Sequence, residues 1–131
     1  MIYHGILTQN QLDQIDQAIC DNLVEAGVNY VVLIDMAGNT ITKHANGQCT
    51  LDTMAFSALA AGNFAAVDAM AKLVGESEFS LLFHKGEKSS IHFTKVNDAF
   101  LLITMFDRDI SLGLVRLKVT DTVDRINTIC S

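Results

Sequence analysis

Apolar and polar positions follow two rhythms along this chain. In residues 8–25, Leu12, Ile15, Ile19 and Leu23 recur three or four apart, and Ala26 continues the series. That spacing lays one apolar stripe along a helix. Thr8 followed by Gln11 is a capping-box pattern, and Gly27 is placed as a left-handed stop. Residues 30–35 and 40–44 are β-rich and are joined through Gly38 and Asn39, so they predict a hairpin. The run Tyr30-Val31-Val32-Leu33-Ile34 is apolar at every position, as expected of a central strand covered on both faces.

Asp52 or Thr53 can cap a second helix over residues 53–74, with Gly75 as its stop. Residues 79–84, 91–96 and 99–106 read as three strands of a meander, turning at Gly86-Glu87-Lys88-Ser89 and at Asn97-Asp98. Residues 111–130 are ambiguous, because Leu112-Gly113-Leu114-Val115 has strand-like composition. Leu112, Val115, Val119, Val123, Ile126 and Cys130 nevertheless keep helical spacing over five turns. Ser111 can cap, and Asp121 with Arg125 makes a favourable pair four apart, so a helix is expected.

The order is helix, two strands, long helix, three strands, helix. A sheet with two apolar faces needs helices on both. The expected fold is therefore α/β (α+β): a five-stranded antiparallel sheet, the long helix on one face and the first and last helices on the other. Residues 1–131 are read as one domain, a length that can bury a core without staples.

Composition narrows the function. Half of the residues are apolar and 18% are charged, which is not a disordered composition. The formal net charge of −6 disfavours nucleic acid and an anionic membrane surface. No apolar run of about 18 residues is counted, so no membrane span is expected, and no secretory signal is read at the N-terminus. Cys20, Cys49 and Cys130 form no CxxC pair or disulfide framework, which suits a cytoplasmic protein.

Chemistry-bearing patterns are sparse. There is no GxxxxGK[ST], GxGxxG, HExxH or GxSxG. If Leu81 and Phe83 share a sheet face with Ile91 and Phe93, then His84 and His92 share the other. Two imidazoles do not make a zinc site, so no metal ligands are assigned. His4 and His44 add no pattern. Cys20 lies beside the first apolar stripe, Cys130 at the chain end and Cys49 in a loop, and none is expected to be reactive. Arg108, in Asp107-Arg108-Asp109, is a loop arginine of the kind that can serve as an arginine finger, but its flanking acids favour local pairing. No catalytic residue and no cofactor-binding residue is expected, and the chain is read as no enzyme.

The informative element is the long helix. Residues 53–74 hold eight alanines and Gly62, with charge only at Asp68 and Lys72. One small sheet cannot wrap such a helix all round, and a face so poor in charge resembles an interface core. A strand starting at Phe79 is expected at the sheet edge, where an apolar edge invites pairing with a twin. Met54, Ala55, Ala58, Leu59, Ala61, Gly62, Ala65, Ala66, Ala69, Phe79, Leu81 and Phe83 are thus the expected homodimer interface.

Three stretches carry a resemblance: Val32-Leu33-Ile34-Asp35-Met36-Ala37-Gly38, the alanine-rich run from Met54 to Ala66, and Ser111-Leu112-Gly113-Leu114-Val115-Arg116. In that order and spacing they resemble the Roadblock/dynein light-chain family, over about residues 9–129. The chain is most similar to the bacterial stand-alone members that partner a Ras-like gliding-motility GTPase. The resemblance implies a homodimer through the long helix and the third strand, no enzymatic centre, no cofactor, and a small Ras-like GTPase as partner. It assigns no partner-contact residue. A competing expectation is a small-ligand sensor or adaptor of profilin-like architecture without a GTPase, which needs a cavity with convergent polar groups.

Overall fold

The computed structural model describes residues 7–46, 50–78 and 82–131, except for the side chain of Leu82. Helix α1 spans Gln9–Ile19 and continues into a π-helical turn at Cys20–Val24. Strands β1 (Tyr30–Asp35) and β2 (Thr40–Ala45) precede α2 (Thr53–Leu73). Strands β3 (Leu82–Lys85), β4 (Ser89–Lys95) and β5 (Phe100–Asp107) lead to α3 (Leu112–Cys130).

Local chemistry explains the boundaries. The Thr8 side chain accepts from the Gln11 N–H while the Gln11 side chain accepts from the Thr8 N–H, completing the capping box. The first helix is not α-helical throughout. Its last turn widens so that the Glu25 N–H reaches the Cys20 carbonyl at 3.0 Å, and Leu23 is buried within that turn. Ser111 caps α3 by accepting from the Leu114 N–H at 3.1 Å, which settles the ambiguous segment as helix. Asn97 closes the β4–β5 turn by accepting from the N–H groups of Ala99 and Phe100.

The sheet is antiparallel with strand order β2-β1-β5-β4-β3, so β1, β5 and β4 are interior and β2 and β3 are the edges. Strands β1 and β5 each feed two cores. Val31, Leu33, Phe100, Leu102 and Phe106 face α1 and α3, joined by Ile15, Ile19, Leu23, Val115, Val119 and Ile126. Tyr30, Val32, Ile34, Leu101 and Ile103 face α2, where they meet Ala60, Ala61, Phe56 and Phe64. Two covered faces explain why these strands are apolar at nearly every position.

Three local expectations are corrected. Arg125 pairs with Asp21 of the first helix at 3.2 Å rather than with Asp121, because it points across the α1–α3 seam. Phe83 stands opposite His92 in the β3–β4 register, and His84 stands opposite Ile91. Directly opposed residues share a face, so the two histidines lie on opposite faces of the sheet. Among the described residues Arg108 is exposed and makes no ion pair, so its flanking aspartates do not hold it. Asp107 is instead 2.5 Å from the amide of Asn29.

Candidate interaction surface

Helix α2 is pinned to the first hairpin along its N-terminal half. The Asp52 carboxylate caps it by accepting from the Ala55 N–H at 3.2 Å. Tyr30 and Thr53 hydroxyls meet at 2.6 Å, and Thr40 and Ser57 hydroxyls at 2.9 Å. Phe56 packs edge-on against Tyr30, with ring centroids 5.8 Å apart. The hairpin turn is shaped for this contact. The Asp35 carboxylate accepts from the Ala37 N–H and from both nitrogens of Asn39, and Gly38 has φ +90°.

With Ser57, Ala60, Ala61 and Ala71 buried, the opposite side of α2 is left bare. Met54, Ala55, Ala58, Leu59, Gly62, Ala65, Ala66 and Ala69 are all exposed, as the interface reading requires. Met54 is 77% exposed and Leu59 74%, values without local explanation for apolar side chains of this size. The same surface continues through Met70, Leu73 and Val74, at 58%, 86% and 69% exposure. These three extend the same helical period and were legible on that ground, though the expected interface stops at Ala69.

Ala61 is a correction. It is turned onto the sheet and belongs to the core with Val32 and Ile103, so it cannot lie on the bare face. Phe83 sits half-buried on the other side of the sheet, stacked on Phe106 with centroids 6.1 Å apart. Its strand β3 is an edge strand, as expected. Phe79 and Leu81 lie outside the described residues.

Helix α2 also bears on the expected absence of a membrane span. It is 21 residues long and contains an 18-residue stretch of mean hydropathy 1.3, so it is long and apolar enough to cross a membrane by those measures alone. No unbroken apolar run marks it in the sequence, because Ser57, Asn63 and the charged Asp68 and Lys72 interrupt it. Those two charges pair at 2.7 Å on one flank.

One constellation was not legible in the sequence. Cys20 Sγ lies 3.6 Å from Nδ1 of His44, whose Nε2 lies 3.2 Å from an Asp16 carboxylate oxygen. The Thr42 hydroxyl donates to the same oxygen. Cys20 and His44 are on different elements 24 positions apart, so no spacing rule could pair them. The order thiol, imidazole, carboxylate resembles a nucleophilic triad. The local field opposes that chemistry, however: burial, and then the carboxylates of Asp16 and Asp21, push the Cys20 thiol pKa up. A reactive cysteine needs the reverse. Burial raises the Cys130 thiol as well. Cys49 and His4 lie outside the described residues. Among the described residues no group of three His, Cys, Asp or Glu side chains is arranged to hold a metal ion.

A Roadblock/LC7 domain model matches residues 15–106. The chain belongs to the Roadblock/LC7 family. Among solved structures, MglB from Myxococcus xanthus is 34% identical and superposes with a TM-score of 0.86, covering 95% of this chain and 93% of that one. The gliding protein MglB from Thermus thermophilus is 27% identical, also with a TM-score of 0.86, over 95% and 94% of the two chains. A structure described as MglB with tetrameric arrangement is 26% identical, with a TM-score of 0.87 over 95% and 93%. No curated protein matches. The matched Roadblock/LC7 region includes the Asp35–Gly38 turn and all of α2, and ends at the last residue but one of β5. Helix α3 with its Ser111 cap lies beyond that region, and the likeness to MglB carries it.

Proposed function

We propose that this Roadblock/LC7 chain is a non-catalytic homodimer in the cytoplasm that scaffolds or regulates a small Ras-like GTPase. The observation that carries the reading is the bare side of α2. Leu59, Met54 and Leu73 lie on one apolar surface with alanines and Gly62 between them, and small residues permit close approach of a second helix. A twofold axis beside α2 would put the same residues of both copies against one another. The 34% identity to MglB over nearly the whole chain supports a role of the same kind, because the likeness spans every element that shapes the surface.

The proposed mechanism is positional. A dimer covers part of both α2 helices and leaves a broad platform formed by two copies, on which a GTPase can rest. Regulation then comes from preferring one nucleotide state of the partner, since a binding partner shifts an equilibrium only by its differential affinity for the two states. No side chain of this chain need enter the nucleotide site.

Light scattering on the purified chain together with a pull-down against GTP-loaded and GDP-loaded bacterial Ras-like GTPases tests this. The expected result is a dimer mass and retention that differs between nucleotide states. A monomer at micromolar concentration overturns the dimer. Equal or absent retention of both states overturns the regulatory role.

A further inference from the structure

Cations are scarce on this chain, with nine Lys and Arg against fifteen Asp and Glu. Lys72, Lys95 and Arg125 are in ion pairs, and Lys43 donates to Thr53. Among the described residues Lys85, Lys88, Arg108, Arg116 and Lys118 have no carboxylate partner. The first four belong to one corner of the fold. Lys85 ends β3, Lys88 is in the β3–β4 turn, Arg108 follows β5, and Arg116 lies in the second turn of α3.

Lys85 and Arg108 line a cavity of about 310 Å³ together with Phe83, Phe106, Ile110 and Leu112, and Ser90 and Asp107 complete its polar lining. The stacked rings of Phe83 and Phe106 supply its aromatic floor. Arg116 reaches the same side of the sheet: its charge helps to hold His92 neutral, and His92 stands opposite Phe83. Three carboxylates share the corner. All three, Asp107, Glu87 and Asp109, are exposed, and Asp107 is also engaged by Asn29 and Ser89. The corner thus carries four cations against three acids, while the rest of the chain carries five against twelve. A local surplus of positive charge on so acidic a protein selects acidic partners and repels basic ones.

We propose that this corner is a docking site for an acidic segment of a partner protein, whose large apolar side chain enters over Phe83 and Phe106 while its carboxylates meet Lys85 and Arg108. The division of labour follows from the lining. Burial of one apolar side chain supplies the anchor, and the rim charges supply selection and register. The volume is at the lower bound of small-ligand pockets, roughly 300 Å³. The site also faces away from α2, since Phe83, Phe106, Ile110 and Leu112 pack with the α1/α3 core. Its occupation is therefore compatible with a covered α2, it requires Phe83 and Lys85 to stay clear of the edge pairing expected of β3, and the proposal does not depend on the GTPase reading.

The test uses the full chain and an array of short peptides, each with a central Phe, Leu or Ala flanked by increasing numbers of Asp and Glu, with Lys-flanked counterparts. Retention is expected to rise with acidic content, to require Phe or Leu, and to weaken as salt is raised. It should fall about tenfold or more in the double variant Lys85→Glu, Arg108→Glu, and persist in Arg108→Lys. Both positions are exposed, so circular dichroism and light scattering should show fold and oligomeric mass unchanged. The proposal is overturned if no acidic peptide is retained below ~1 mM. It is equally overturned if Ala-centred peptides bind as well as Phe-centred ones, if the double variant binds like the parent, or if inorganic phosphate alone displaces the peptide.

Discussion

A Cβ placed on Gly38 would stand 3.0 Å from the Cα of Ala58 and 3.3 Å from the carbonyl oxygen of Ser57. The turn of the first hairpin therefore rests directly on the backbone of the long helix. With φ at +90°, position 38 also demands a conformation that other residues adopt only with strain. Two independent costs fall on one substitution: roughly 1–2 kcal/mol for the backbone and 1–3 kcal/mol for overpacking. Gly38→Ala should lower the urea midpoint by the equivalent of about 2–5 kcal/mol. An unchanged midpoint would contradict the close approach.

The proposed dimer turns on exposed apolar residues whose replacement should leave the monomer intact. Leu59→Glu places a charge at the middle of the bare face of α2, where Leu59 is 74% exposed. Its expected effect is a shift from dimer to monomer by light scattering with the helical signal retained. At a buried interface core an unpaired charge costs several kcal/mol. A variant that stays dimeric would place the contact elsewhere on the molecule.

His92 gives a pH dependence with a definite sign. Burial first, and then the nearby Arg116 charge, lower its pKa from 6.5 to about 4. Between those values the unfolded chain binds a proton that the folded chain refuses. Stability should therefore be insensitive to this group above about pH 6.5 and fall as the pH drops towards 4, by up to about 3 kcal/mol. Chemical denaturation at stepped pH should show the fall, and His92→Gln should flatten it in that window. An equal slope in the variant would assign the dependence to other groups.

Cys20 should behave as an inert thiol despite its histidine. With its pKa raised by burial and by Asp16 and Asp21, little thiolate exists at neutral pH. Alkylation by iodoacetamide at pH 7 should be slower at Cys20 than for free cysteine, read by peptide mass spectrometry. Asp16→Asn should accelerate it, because one of the raising charges is gone. Fast labelling of the parent at pH 7 would instead indicate a thiolate stabilised by His44.

Ser111 reports on the last helix. Its hydroxyl accepts from the Leu114 N–H, and Ser111→Ala should cost about 1 kcal/mol, measured by thermal unfolding. Ser111→Asp should recover most of that loss, since aspartate caps equally well.

Periodicity by itself determined the elements and their order. Leu12, Ile15, Ile19 and Leu23 repeat at helical spacing whatever else the chain does, and runs such as Phe100 to Ile103 require cover on both faces. The capping chemistry of Thr8, Asp52 and Ser111 is local, so it too was readable without a fold. Most of the bare face of α2 was readable because charge was missing from it. Ala61 was not, because one residue is about 100° of helix rotation, and only the sheet decides which alanines turn inward. The face shared by His92 with Phe83 depended on register, which a shift of one residue inverts. Arg125 chose Asp21 over its helix neighbour Asp121, and Cys20 met His44, because the packing of α1 against α3 and against the β2 edge brings distant positions together. Those contacts, and the cation-rimmed corner beside Phe83, depend on distances that no sequence spacing encodes.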